Sequence, residues 1–382
     1  MMALRGVRVV EMAGLAPAPF AGMILADFGA SVVRVDKPDQ PPLDTLARNK
    51  RSIAVSLKSP SGVEIVRRLC SQADVIIEPY RPGVMEKLGL GPNVLMESNP
   101  RLVYARLTGF GQTGPLSHRA GHDINYLATA GLLSMLGRKG ENPMAPINLL
   151  ADFAGGSFSC VIGVLMALFE RSKSGKGQIV DAAMVDGAAY LGSFLLASRK
   201  IGLWTGERGE NMLDTGAPFY DTYKTSDGKY MSVGAIEPQF YTALLEGLGM
   251  SEADLPNQMD NSAWDDLRGK FAAIFATKSQ KEWTQIFSKA DACVEPVLSM
   301  EEASDHSHNT QRQVFHKHSS GEFEPMPAPR LSRTPGKPGS FGQPEIGEHT
   351  VEVLKELSFS QQDIQELMDN NTIAQSEPTS KL

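Results

Sequence analysis

The chain has 382 residues, and its 37 basic and 44 acidic side chains give a formal net charge of −7 at pH 7. This acidic balance argues against a nucleic-acid groove and a polybasic membrane surface. Three scattered cysteines exclude a disulfide scaffold or a cysteine zinc site and are typical of a reducing compartment. The longest apolar stretch, residues 158–169, is shorter than the roughly 20 residues of a membrane-spanning helix, so no membrane span is predicted.

The first half of the chain alternates short β-branched segments with helical patterns. In chain order, we predict a strand at residues 7–12, a helix at 19–28, strands at 31–35 and 53–57, a helix at 61–71, a strand at 74–78, a helix at 92–98, a strand at 102–107, helices at 125–136 and 153–171, a strand at 178–184 and a helix at 187–199. Strands that are apolar on both faces indicate a parallel sheet covered by helices, and hence an α/β fold. The last of these helices is apolar nearly all round, so we expect it to be buried within the fold or against a second chain.

After Trp204 the pattern becomes that of a smaller α+β domain. A turn at residues 225–228 joins strands at 219–224 and 229–234. In chain order there follow helices at 237–247, 264–276 and 281–288, a strand at 292–298, a surface linker rich in Pro, His and Ser within residues 305–344, and helices at 350–357 and 360–368.

Two motifs favour functions that their surroundings contradict. Residues 109–114 match the G-x-G-x-x-G pattern of dinucleotide sites, but Pro115 follows and no helix is predicted before about residue 122. We therefore interpret them as a flexible glycine loop and keep nicotinamide binding as an alternative. Two H-x-H pairs, at residues 306–308 and 316–318, lack the helical spacing and acidic third ligand of catalytic zinc, so no metal is predicted.

Three side chains at predicted helix starts are candidates for catalysis. His122 follows the glycine loop, where unpaired backbone N–H groups can stabilise an oxyanion. Asp152 precedes Gly155 and Gly156, which would let a molecule approach the backbone closely. Glu237 directly follows a predicted strand. Structural interpretations remain open for each, because Asp is a common N-cap and charged side chains are common in a first helical turn.

The chain ends in Ser380-Lys381-Leu382 after a polar run. This tripeptide is a receptor-read peroxisomal signal, so we expect a peroxisomal import receptor as a partner and the peroxisome as the location. The residues before Glu11 include arginines and no acidic side chain, which leaves a second location in mitochondria open.

Three segments together carry a resemblance: residues 121–126 (GHDINY), 148–156 (NLLADFAGG) and 233–240 (VGAIEPQF). Nearly letter for letter, they resemble the α-methylacyl-CoA racemases of the family III CoA-transferase superfamily. The resemblance implies two chains threaded through each other as an interlocked homodimer. It also implies the domain plan, which is a Rossmann-like large domain from both chain ends (1–205 and 325–370), an inserted smaller α+β domain (215–305), a linker (306–324) and a flexible tail (371–382).

The resemblance also implies a role for each catalytic candidate. His122 and Asp152 would remove and return a proton on opposite faces of the carbon next to a thioester. Burial would raise the pKa of Asp152, and Glu237 would orient the His122 imidazolium across an interface between two chains. The backbone N–H of Asp123 would stabilise the enolate oxygen.

The phosphates of a CoA thioester require cations. Six basic side chains of the first domain supply charge: Arg34, Lys37, Lys50, Arg51, Lys58 and Arg81. By resemblance, the CoA ester would contact Lys37, Val55, Ser56, Leu57, Lys58, Gly121, His122, Asp123, Ile124, Asn125 and Tyr126. Relatives carry Arg at position 37 and Gly at position 215, whereas this chain has Lys37, which binds phosphate as a point charge rather than a fork, and Thr215.

The expected function is interconversion of (2R)- and (2S)-2-methylacyl-CoA esters by proton transfer through an enolate. By resemblance, the substrates include branched-chain fatty acyl-CoA and bile-acid-intermediate CoA esters, and the product feeds peroxisomal β-oxidation. No metal or redox cofactor is expected, and CoA is part of the substrate. The alternatives are a family III CoA-transferase that uses Asp152 as its nucleophile, a non-catalytic acyl-CoA carrier, and the nicotinamide dehydrogenase.

Overall fold

The structure is a computed structural model that describes residues 2–39, 41, 43–318, 321–339 and 343–376. In chain order, the strands of these residues are β1 (Arg8–Met12), β2 (Ser31–Asp36), β3 (Lys50–Val55), β4 (Val75–Glu78), β5 (Val103–Thr108), β6 (Ile179–Ala183), β7 (Tyr220–Lys224), β8 (Tyr230–Gly234), β9 (Val294–Pro296), β10 (Phe315–Lys317), β11 (Phe323–Pro325) and β12 (Ile373–Ala374). The predicted peroxisomal signal, Ser380-Lys381-Leu382, lies outside the described residues.

The α-helices are α1 (Pro17–Asp27), α2 (Pro60–Ser71), α3 (Val84–Lys87), α4 (Pro92–Ser98), α5 (Asp123–Thr129), α6 (Ser159–Ser174), α7 (Met184–Leu191), α8 (Ser193–Ser198), α9 (Pro238–Leu248), α10 (Trp264–Phe275), α11 (Gln280–Phe287), α12 (Met300–Asp305), α13 (Ser307–Arg312), α14 (Thr350–Glu356) and α15 (Gln361–Asp369). A π-helical segment, Leu149–Phe158, runs directly into α6. Short 3₁₀ helices lie at Leu132–Met135, Arg199–Ile201, Glu252–Asp254 and Asn261–Ala263.

Seven strands form one sheet in the order β12-β3-β2-β1-β4-β5-β6. Every neighbouring pair is parallel except β12 and β3, which are antiparallel. Strands β4 and β5 are buried at every position, as expected for central strands of a parallel sheet covered on both faces. Their two charged residues, Glu78 and Arg106, pair with each other at 2.7 Å. The strand order reverses between β1 and β4, and ligands of such sheets bind at the carboxyl ends of the strands near this point. The predicted α/β class is thus confirmed.

The chain divides into two compact units. Over their described residues, the large unit comprises Met1–Ala130, Pro146–Leu191 and Arg312–Leu382, and the small unit comprises Gly131–Ala145 and Gly192–Gln311. The predicted boundary at residue 205 therefore differs from the one found. Gly192 separates α7 from α8, so the helix predicted at 187–199 is interrupted at that glycine.

Two segments predicted to lie outside the domains have regular structure. The linker predicted at 306–324 contains α13 and the start of the β10–β11 hairpin, in which the rings of Phe315 and Phe323 pack edge to face. The flexible tail predicted from residue 371 begins with β12, whose Ile373 is buried and pairs with Val55. Apolar residues at these few positions provide the burial that a Pro- and Ser-rich composition conceals.

The helical stretch Leu149–Ser174 is long and apolar enough to cross a membrane by length and composition alone. No membrane span was predicted from the sequence, because the uninterrupted apolar run at residues 158–169 is shorter than this helical stretch. Within the large unit, α6 packs on β5 and β6 and buries Cys160 and Val164. Its opposite face leaves Ile162, Met166 and Phe169 at least half exposed. One helix face therefore belongs to the core of the unit, and the other is an apolar surface of this chain.

Lys50 of β3 and Glu11 of β1 form an ion pair inside the large unit, and neither side chain contacts solvent. The Lys50 Nζ donates one hydrogen bond to Glu11 Oε1 at 3.0 Å and a second to the Pro19 carbonyl at 2.8 Å. Gly22 of α1 makes room for the pair, because a Cβ there would lie 1.7 Å from Glu11 Oε2. Burial raises the pKa of Glu11 to about 7 against the attraction of Lys50.

We expect Lys50→Met to lower the free energy of unfolding by about 3–5 kcal/mol, because it leaves the Glu11 carboxylate buried without its partner. The double variant Glu11→Met/Lys50→Met should recover most of this loss, since an apolar pair carries no desolvation cost. Urea unfolding followed by circular dichroism measures both values. A double variant no more stable than Lys50→Met would contradict the explanation.

Candidate active site

His122 is the N-cap residue of α5 in the large unit, and it is exposed. Its backbone is extended, and its N–H donates to Asn125 Oδ1 at 3.0 Å, so Asn125 fixes the chain direction at the helix start. As the first residue of α5, Asp123 has a backbone N–H with no acceptor within the helix. An exposed imidazole and an available N–H donor thus lie side by side at the positive end of a helix.

The glycine loop after β5 supports this helix start. A Cβ at Gly109 would lie 2.2 Å from the Tyr126 ring, and one at Gly121 would lie 2.7 Å from it, so both glycines are required for the ring to pack there. The Tyr126 hydroxyl donates to the Gly121 carbonyl. Helix α5 begins nine positions after Gly114, so the third glycine does not open a helix as dinucleotide binding requires.

Asp152 lies in the first turn of the π-helical segment and is half-buried. The N-cap of this segment is Asn148, so the structural alternative of an N-capping Asp152 does not apply. Asn148 Nδ2 donates to Asp152 Oδ2 at 3.3 Å. The start of the π-helical segment is capped by a side chain of another helix, that of Asp123 in α5. Its Oδ2 accepts from the N–H of Ala151 at 2.6 Å and from that of Asp152 at 2.9 Å. π-Helical turns are frequent at functional sites.

Burial raises the pKa of Asp152, as the sequence analysis expected. The negative charge of Asp123 raises this pKa further, whereas the hydrogen bond from Asn148 and the positive charge of His122 lower it. The net direction is upward. His122 and Asp152 therefore act electrostatically on each other within one unit, and Asp152 retains its proton to a higher pH than an ordinary aspartate does.

The glycines after Asp152 have a different use from the one expected. A Cβ at Gly187 of α7 would lie 1.8 Å from the Gly155 carbonyl oxygen, and one at Gly155 would lie 2.7 Å from the Ala188 nitrogen. Gly155 and Gly156 thus let α7 pack directly on the π-helical segment. The close approach predicted from these glycines is made by the chain itself.

Of the predicted CoA contacts, those outside residues 121–126 fall at one edge of the sheet. Lys37 directly follows β2, and residues 55–58 span the end of β3 and the turn after it, so both lie at the carboxyl ends of adjacent parallel strands. Lys37 and Lys58 are exposed, whereas Val55 is buried in the sheet. The Ser56 N–H donates to the Thr372 carbonyl at 2.8 Å and so supports the turn.

Half of the six predicted cations have partners elsewhere. Arg34 pairs with Asp36 and Asp44, Lys50 with Glu11, and Arg51 with Glu352 and Glu356. A phosphate site would therefore use the other three cations: Lys37, Lys58 and Arg81. The charge of Arg81 acts on Tyr126, which places this cation near α5.

Glu237 belongs to the small unit, whereas His122, Asp123 and Asp152 belong to the large unit. It is the exposed N-cap residue of α9, and its charge acts on Cys293. Its pairing with His122 stays a prediction.

Thr215, also in the small unit, has a φ of 76°, in the left-handed region that glycine adopts without strain. The replacement of the relatives' Gly by Thr at this position therefore costs backbone free energy.

Sequence reasoning missed two contributors to the site, the Asp123 side chain and Asn148. Helix-start spacing pointed only to the Asp123 backbone, because a bond from its carboxylate to a segment 28 positions later leaves no local pattern. Asn148 lies within the segment of residues 148–156 that carries the resemblance. An amide four positions before an acid in a helical segment indicates a hydrogen bond between the two side chains, so this contact could have been predicted. Across the described ranges, no group of three His, Cys, Asp or Glu side chains could hold a metal ion.

The chain is similar to known proteins over most of its length. The model of CoA-transferase family III matches residues 4–350. The chain is 56% identical over 372 residues to a Mus musculus protein named alpha-methylacyl-CoA racemase, a match that covers 97% of this chain and 98% of the relative. A Homo sapiens protein of the same name is 55% identical over 373 residues, with the same two coverages.

Among solved structures, a CAIB/BAIF family protein from Brucella suis has a TM-score of 0.81 and 26% identity, and the match covers 93% of this chain and 99% of the other. One family model matches residues 4–350. This range includes strands β1 to β6 of the large sheet and the segments around His122 and Asp152. The chain belongs to CoA-transferase family III.

Proposed function

We propose that this protein interconverts the (2R) and (2S) epimers of 2-methyl-branched acyl-CoA thioesters by removing and returning the α-proton. The observation that carries the proposal is the electrostatic pairing of His122 with Asp152, whose pKa is raised, beside the Asp123 N–H at the start of α5. The two relatives that are 55–56% identical and named alpha-methylacyl-CoA racemase support the same reaction.

The reaction needs one group that accepts a proton and another that donates one on the opposite face of the carbon. In one direction the His122 imidazole takes the α-proton and the protonated Asp152 returns one. In the other direction the carboxylate of Asp152 is the base and the His122 imidazolium is the acid. The raised pKa of Asp152 serves this exchange, because the carboxyl group must hold a proton in one half of the cycle.

The enolate between the two steps carries its negative charge on the thioester oxygen. The Asp123 N–H is an available donor at the positive end of α5, and such a donor typically stabilises a developing oxyanion by about 3 kcal/mol. Lys37, Lys58 and Arg81 would bind the CoA phosphates from the carboxyl edge of the sheet. The chemistry is proton transfer throughout, so the proposal requires neither metal nor redox cofactor.

We expect the wild-type protein to incorporate deuterium at the α-carbon of either epimer in deuterated water and to epimerise both. His122→Ala and Asp152→Asn should each slow epimerisation by about 10²- to 10⁴-fold, because each removes one proton-transfer group. Each variant should still exchange the proton of the one epimer that faces its remaining base. Mass spectrometry of the recovered thioester and chiral separation of its acid measure both quantities.

Glu97→Gln is the matched control, because this carboxylate is exposed on α4, away from the site. A wild-type protein that neither incorporates deuterium nor epimerises would refute the proposal. Transfer of labelled CoA to a free acid, lost in Asp152→Asn, would indicate the CoA-transferase mechanism. Binding of the thioester without either reaction would indicate a carrier.

We further propose that the protein is a homodimer. Besides the family resemblance, this rests on the apolar surface of α6, where Ile162, Met166 and Phe169 are exposed in the single chain. An exposed apolar helix face of this kind is typical of a surface that another protein covers. The predicted pairing of Glu237 with His122 also belongs to this proposal, since it requires residues from two chains.

Light scattering should give the mass of two chains for the wild type. Met166→Glu should reduce the dimer fraction, because it places a charge in the apolar surface. Ser172→Glu, at an exposed position on the same helix, should leave the dimer intact. A wild-type protein that is monomeric and fully active would contradict the proposal.

We also propose a peroxisomal location, on the basis of Ser380-Lys381-Leu382. A fluorescent protein fused before Met1 should label peroxisomes, and removal of residues 380–382 should release it to the cytosol. An unchanged distribution after the removal would contradict the proposal. A fusion after Leu382 masks this signal, so labelling of mitochondria by that fusion tests the second location.

A further inference from the structure

The carboxylate of Asp123 is buried in an unusual way for a residue at a helix start. The residue is only 2% exposed, and the carboxylate points away from its own helix towards the π-helical segment. Its Oδ2 accepts both hydrogen bonds from that segment, from Ala151 and from Asp152, while its Oδ1 is buried without a hydrogen-bond partner among the described residues.

This arrangement costs more than capping a helix requires. Serine, threonine or asparagine caps a helix start without a net charge. A buried carboxylate with one oxygen unpartnered carries a desolvation cost, which the two charge-assisted bonds from the backbone offset only in part. The negative charge itself therefore has a use at this position. One of those bonds ends at the backbone of Asp152, and the charge acts on the side chain of the same residue.

We propose that the carboxylate of Asp123 is a positioning residue for Asp152: its hydrogen bonds fix the backbone at Ala151 and Asp152, and its negative charge favours the protonated form of the Asp152 carboxyl group. The inference rests on the proposed epimerase function and deepens it. The Asp123 backbone would contact the enolate, and the Asp123 side chain would set the proton affinity of the acid on the other side.

The charges around Asp152 leave Asp123 as the side chain that raises its proton affinity. Within the large unit, α1, α5, α6, α7, β5 and β6 pack against the π-helical segment. From these elements, the charged groups that act on Asp152 are Asp123 at the start of α5 and His122 before it, and the Tyr126 hydroxyl of α5 faces it as a further titratable group. His122 acts in the opposite direction to Asp123, as does the hydrogen bond from Asn148.

The consequence for the reaction is a balance between acid and base. Without the charge of Asp123, burial alone would oppose the bond from Asn148 and the charge of His122, which both favour the ionised carboxylate of Asp152. Asp152 would then remain a competent base but would hold the proton that it must donate in the other direction only to a lower pH than it does beside Asp123. The carboxylate of Asp123 thus supports the half of the cycle in which Asp152 is the acid.

The test is the pH dependence of kcat/KM for α-proton exchange with the epimer whose proton Asp152 removes. This rate rises with pH as Asp152 loses its proton. In Asp123→Asn, which keeps an oxygen acceptor for the two N–H groups and removes the charge, the rising limb should move to lower pH by about 0.5–1 unit. In Asn148→Ala, which removes a hydrogen bond to the ionised form, the limb should move to higher pH.

Asp123→Ser is a second, shorter neutral cap, and it should move the limb in the same direction as Asp123→Asn. Variants that are folded by circular dichroism but keep the wild-type pH profile would overturn the inference, whatever their loss of kcat. Loss of the fold in both Asp123 variants would assign the carboxylate a purely structural part and would also overturn it. A wild-type protein without exchange would instead refute the proposed function itself, so the two failures are distinguishable.

Discussion

The site depends on one carboxylate that joins two separate parts of the chain. Asp123 Oδ2 holds the N–H groups of Ala151 and Asp152, so the helix start that presents His122 and the segment that carries Asp152 are fixed to each other by hydrogen bonds. The packing of α7 against Gly155 fixes the same segment from its other side. A two-group proton transfer requires this rigidity, because small displacements of a catalytic group reduce its rate strongly.

The large unit also buries charges as ion pairs, and these have a different effect. Lys50 and Glu11 neutralise each other in the sheet, and removal of either partner leaves the other without compensation. The Asp123 carboxylate is bonded instead to two backbone N–H groups and lies beside a second acid, Asp152. A paired buried charge contributes to the uniqueness of packing, whereas a buried charge beside another acid changes the proton affinity of that acid.

Much of the fold follows from local sequence patterns, and the exceptions have physical causes. The helix predicted at residues 92–98 has the bounds of α4, because proline opens it and its apolar positions are local. The break at Gly192 was missed, since apolar periodicity does not reveal which glycine ends a helix. His122 and Asp152 could be recognised from their segments, but the Asp123 carboxylate could not, because its bonds join positions that are far apart in sequence.

The net charge of −7 is a poor guide to the charge that this chain presents at its surface, because part of the count is buried in ion pairs. Three of the six cations near the amino end are neutralised by acidic partners within the unit, among them Arg34 and Lys50. The acidic partners of Arg34 and Lys50 are largely buried, so they add to the count without presenting a free negative charge to solvent. In the proposed function, the phosphates of the thioester meet Lys37, Lys58 and Arg81 at the carboxyl edge of the sheet, so an acidic protein retains a cationic approach to its site.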